Sequence, residues 1–166
     1  MLLTNAVVGL IQLLISIIFA VIALYIGFAV LSKITKNIDE EKELAKGNVA
    51  VGIIVASVFV AIALVVQSGV SGLSVGINKA LSVGIFSVDG LLVVCAAFIQ
   101  LVLGIVLAVG AIYLALNILD KLTKGIDEFA EIKKGNVAVA LEMGGVIIAV
   151  AVIIQSGVIG ITAALI

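Results

Sequence analysis

The sequence predicts an all-α integral membrane protein whose four transmembrane helices form two tandem parallel-repeat helical hairpins. Three observations carry that expectation. Hydrophobic residues make up 64% of the 166-residue chain and charged residues 11%, where soluble domains average roughly 45–50% and about 25%. Mean hydropathy is +1.49, and so few charges cannot cover the surface of a soluble fold of this length. The apolar residues also fall into four runs, and the second pair of runs repeats the first.

The runs are Val7–Leu31, Val49–Val75, Leu91–Leu119 and Val137–Ile166. A span needs about 20 apolar residues, so each has length to spare for tilting or protruding. Proline is absent, which removes the usual cause of a kink. The first run is not expected to be a signal peptide, because it lacks a basic flank and a cleavage site and its counterpart lies in mid-chain. Lys33, Lys36, Lys42 and Lys46 separate the first two runs, and Lys121, Lys124, Lys133 and Lys134 the last two. Lys79 alone lies between the pairs. The positive-inside rule then puts both charged loops in the cytoplasm and both termini outside. This divides the chain into a first two-helix repeat (1–73), an extracytoplasmic linker (74–90) with Asp89 as the expected cap of the third helix, and a second repeat (91–166).

The duplication is direct. LSKITKNIDEEKELAKGNVAV from Leu31 aligns without gaps on LDKLTKGIDEFAEIKKGNVAV from Leu119. Upstream, Gln12 falls on Gln100 and Tyr25 on Tyr113; downstream, Gln67 falls on Gln155. A unit that crosses twice keeps its orientation when copied, so the repeat is parallel rather than inverted. Stripes of small residues recur in register. They are Ser16, Ala20, Ala23 and Gly27 against Gly104, Ala108, Ala111 and Ala115, and Ala50, Ser57, Ala61 and Ser68 against Ala138, Gly145, Ala149 and Ser156. Each set lies on one helix face. Helices in lipid associate by close backbone approach at such residues, so all four stripes are expected to be seams of one bundle.

The motif KGNVAV occurs at Lys46 and again at Lys134. Lys46 and Lys134 mark the cytoplasmic side, Gly47 and Gly135 permit a turn, and Asn48 and Asn136 are candidate caps for the helices that follow. Gln12, Gln67, Gln100 and Gln155 lie roughly 27–30 Å from the cytoplasmic helix ends, where they are expected to form a polar clamp at the outer interface. Asp39, Glu40, Asp127 and Glu128 are the acidic residues of the loops singled out as candidates for docking. Glu142 stands apart. It lies roughly 9 Å beyond Asn136, on the stripe of Ala138, Gly145 and Ala149, and is expected to face packed protein. An intramembrane carboxylate costs about 2.5–3.5 kcal/mol on insertion scales and is a functional candidate by default. The first copy has Ile54 there.

The doubled Ile-Asp, Lys-Gly-Asn and Val-Ala-Val pattern resembles the DUF350 family. It rests on Ile38, Asp39, Lys46, Gly47 and Asn48, then Ile126, Asp127, Lys134, Gly135 and Asn136. The resemblance implies a small multi-pass protein of the prokaryotic inner membrane and a tandem two-copy form; it brings no activity with it. The chain has no histidine, which excludes a His-ligated metal and a Ser-His-Asp triad. Cys95 is the single cysteine and behaves as a small hydrophobe. No metal, cofactor or nucleic acid is expected. The leading expectation is a non-enzymatic scaffold or accessory subunit in the lipid bilayer, a homo-oligomer with charged loops offered to a protein partner. The alternative is a proton- or cation-conducting element with Glu142 as its titrating residue.

Overall fold

The computed structural model describes residues 2–35, 38–84, 86–122 and 125–165. Lys36, Lys124 and Ile166, which figure in the expected loops and spans, lie outside the described residues. All regular structure among the described residues is helical. The elements are α1 (Leu2–Ile34), α2 (Glu40–Ala45), α3 (Val49–Val83), α4 (Val88–Leu122), α5 (Glu128–Lys133) and α6 (Val137–Leu165). Four helices, α1, α3, α4 and α6, are long and apolar enough to cross a membrane.

At 1.5 Å per residue, the 35 residues of α3 and of α4 extend about 52 Å, well beyond a hydrocarbon core of about 30 Å. The excess of α3 is the stretch read from the sequence as linker. Residues 74–83 continue the helix, and α4 already starts at Val88. Gly84 turns the chain at φ +95°, a conformation open to glycine because it has no Cβ. Ser87, not Asp89, caps α4: its Oγ accepts from Gly90 N at 3.0 Å. Helix α4 begins at Val88, so Asp89 already lies inside the first turn.

Helix α3 is central. It packs on α6, α4 and α1, and α4 packs on α6. Ala50, Ser57, Ala61 and Ser68 are all buried along it, as their spacing predicts. The two serines spend their hydroxyls on their own helix, Ser57 on Ile53 O at 2.8 Å and Ser68 on Val65 O at 2.8 Å, so burial strands no donor. Around them lie Ile112 and Leu116 of α4 and Ala140, Met143, Ile147 and Ala151 of α6.

Helix α6 corrects the sequence reading. Ala138, Gly145, Ala149 and Ser156 are exposed, and α6 buries instead the face of Ala140, Met143, Gly144, Ile147 and Ala151. The same stripe is thus interior in one copy and exterior in the other. The reason is steric: α6 meets α3 through Gly144, whose missing side chain leaves room for Ser57, with Ser57 Cβ only 3.3 Å from where a Gly144 Cβ would stand. One face of α6 satisfies that contact, and the opposite face is left outside. Helix α1 contributes Ala23 to the core and exposes Leu10, Leu14, Ile18 and Val21.

Candidate functional site

The polar chemistry concentrates where the charged segments meet α3 and α6. Each segment folds into one helical turn before the long helix starts, which a reading as plain loop did not foresee. Asp39 caps α2 by accepting from Lys42 N at 3.1 Å, and Asp127 caps α5 by accepting from Ala130 N at 3.0 Å. Carboxylates suit these positions because the first-turn N–H groups lack partners and carry partial positive charge. Glu40 is buried and accepts from the hydroxyl of Thr35. Glu128 is 1% exposed.

The Lys-Gly-Asn motifs then turn the chain into the spans. Gly47 and Gly135 take φ +78° and +88°. Asn48 Oδ1 accepts from Val51 N at 3.3 Å, and Asn136 Oδ1 from Val139 N at 3.4 Å, so each asparagine caps its helix. Behind each stands a glutamate that the sequence reading passed over. Glu43 accepts from Lys46 Nζ at 2.7 Å and Asn48 Nδ2 at 3.2 Å; Glu131 accepts from Lys134 Nζ at 2.7 Å and Asn136 Nδ2 at 3.0 Å. The signal for both was present as a glutamate five residues before each asparagine.

The two motifs differ in one respect. Asn48 Nδ2 also donates to Ile132 O at 3.1 Å and Lys133 O at 3.2 Å, the closing carbonyls of α5. It therefore ties the start of α3 to the second charged segment. The Asn136 amide stays within its own segment, on Glu131.

The family model for the Domain of Unknown Function (DUF350) matches residues 4–104 and again residues 92–166. The chain belongs to the DUF350 family. Two overlapping matches agree with a tandem two-copy form. No curated protein and no solved structure matches the chain.

The remaining candidates of this DUF350 protein are dispersed. Among the glutamines, Gln100 is buried and donates across helices to Val158 O at 3.2 Å. Gln67 is exposed, Gln12 and Gln155 half-buried. Gln67 lines a groove of about 350 Å³ between α1 and α3, with Ser16, Ala20 and Ala63. Glu142 is exposed on α6, which corrects the expectation that it faces packed protein: the stripe it shares is the one turned outward. Among the described residues no cluster of three metal-ligating side chains occurs.

Lys46 and then Asn48 hold the Glu43 carboxyl below its ordinary value of 4.5; Asn136 and then Lys134 do the same for Glu131. A depressed carboxylate contributes stability above its unfolded value, and that contribution is lost as pH falls through the folded one. Protection of the Val51 and Val139 amides, taken as exchange relative to the intrinsic rate at each pH, should therefore be level above pH 4.5 and should fall below it. Glu43→Gln and Glu131→Gln should remove the acid limb at Val51 and Val139 respectively. An unchanged profile in both variants would refute the assignment.

Proposed function

We propose that this DUF350 protein is a non-enzymatic scaffold or accessory subunit of the prokaryotic inner membrane. It consists of two parallel helical hairpins that self-associate in the bilayer and offer their charged segments to a partner in the cytoplasm. The observation that carries this reading is the outward face of α6, where Ala138, Gly145, Ala149 and Ser156 are exposed. Small residues gain nothing against lipid tails, whereas they let another helix approach closely. The lysine bias of the segments supports their cytoplasmic placement. The absence of catalysis is supported by how the polar groups are spent. Glu43, Glu131, Asn48, Asn136, Asp39 and Asp127 serve caps and ion pairs that hold the chain's own turns. Native mass measurement in mild detergent should give a multiple of the chain mass. A single chain there, and a single chain after chemical cross-linking of intact membranes, would defeat the reading.

Glu142 favours a second reading, because a carboxylate exposed within a span is a candidate ion ligand. If it conducts, purified protein in liposomes should pass protons or monovalent cations, and Glu142→Gln should abolish the flux. Equal tightness of the two proteins removes conduction.

A further inference from the structure

Three contacts that join the first unit to the second within one chain pair unlike positions of the two copies. Asn48 of the first unit donates to the carbonyls of Ile132 and Lys133 in the second. Ser57 of the first fills the notch at Gly144 of the second. Leu101 of the second fills the notch at Gly69 of the first. The duplication gives every one of these residues a counterpart. Asn136 corresponds to Asn48, and Leu44 and Ala45 to Ile132 and Lys133. Gly145 corresponds to Ser57 and Ala56 to Gly144; Gly157 corresponds to Gly69 and Leu13 to Leu101.

The counterpart contacts are not made within the chain, and their halves stand open. A Cβ on Gly145 or on Gly157 would meet nothing within 4 Å. Leu13 is 55% exposed and Leu44 40%, and Ala45 and Ala56 are exposed as well. Asn136, Gly145 and Gly157 belong to the second unit; Leu44, Ala45, Ala56 and Leu13 belong to the first.

We propose that copies of this chain join head to tail, the second unit of one on the first unit of the next, and close into a ring. This rests on the self-association proposed above and specifies its geometry. The internal contact is the template, because it shows which surface each stripe accepts. It is heterologous: Ser57 meets Gly144, whose counterpart is Ala56, so the two units present different faces to each other. A two-fold dimer would need one face to meet itself. Heterologous contacts leave a complementary surface at each end and generate rings when the rotation closes. Units of like orientation in a bilayer can be related only by rotation about the membrane normal. The chemistry carries over with little change. The Leu–Gly pair is identical, the asparagine again faces two carbonyls at the end of a helical turn, and Ser–Gly becomes Gly–Ala. The exception is Ile54, 3% exposed on the inner stripe, whose counterpart is Glu142. Each seam between copies therefore carries one carboxylate, and each seam within a copy an isoleucine.

The test is disulfide trapping in native membranes, in a Cys95→Ser background. Leu13→Cys and Gly157→Cys placed in the same chain should give a ladder of cross-linked chains that stops at one discrete band, the ring. The two substitutions carried on separate chains and coexpressed should give dimers only. Ala56→Cys with Gly145→Cys is an independent pair that should behave alike. A Gly157→Cys chain that links to itself, a ladder without a terminal band, or no link from either pair in a protein whose native mass is multiple would overturn this arrangement while leaving self-association standing. A single chain both in native mass and after chemical cross-linking of intact membranes would overturn both.

Discussion

Replacing Gly144 by valine should destabilise the chain by about 3 kcal/mol, the upper end of the penalty for overfilling a packed seam. The added Cβ would fall on the Ser57 hydroxyl, with Ser57 Cβ at 3.3 Å and Ile53 Cγ2 at 3.5 Å. Ser57 Cβ is fixed to the backbone of α3 and cannot rotate away, so the helices themselves must separate. Gly110 on α4 is the control, since a Cβ there meets nothing within 4 Å; Gly110→Val should be near neutral or slightly stabilising, as valine has the better helix propensity. Unfolding of both variants against wild type, titrated with denaturing detergent in single-chain micelles, gives the comparison. Equal stability of the two variants would show that α3 and α6 do not meet through Gly144.

Asn48→Ala and Asn136→Ala should differ although they alter the same motif. Both lose a helix cap, worth about 1 kcal/mol. Asn48→Ala also loses the bond that its amide shares between Ile132 O and Lys133 O, one N–H serving both carbonyls because the other serves Glu43, worth about 1 kcal/mol net, for a total of about 2 kcal/mol against about 1 kcal/mol. Single-chain micelles are again the right state, because they isolate what each asparagine does inside one chain. Equal losses would mean that the bridge to α5 contributes nothing.

These two experiments bear on what the sequence could and could not reveal. Hydrophobic length and the lysine positions identified the four apolar helices, because composition alone sets which segments lipid will accept. The caps at Asn48 and Asn136 were readable for a similar reason: a turn, a missing N–H partner and a short amide lie within six residues. Long-range pairing was not readable. Periodicity assigns Ala138, Glu142, Gly145 and Ala149 to one face of α6, yet nothing local says whether that face looks inward. In α3 the same stripe does look inward, and copying the inference across put Glu142 in the wrong environment. Related helices bury the same face only if their neighbours lie on the same side, and here α3 presents Ser57 to Gly144 of α6. Residue type does not separate Ser87 from Asp89, since serine and aspartate cap about equally well; Ser87 takes the capping position because α4 starts at Val88.

The short connection from Val83 to Val88 sets the order in which contacts form. Four residues cannot span far, so the second unit is held beside the first as soon as both are inserted. Their pairing is intramolecular, at an effective concentration of about millimolar or above that does not depend on how much protein the cell makes. Contact between chains enjoys no such tether and obeys mass action in the plane of the bilayer. In the proposed ring, expression level would therefore act only on the seams between copies, the kind that carries the glutamate.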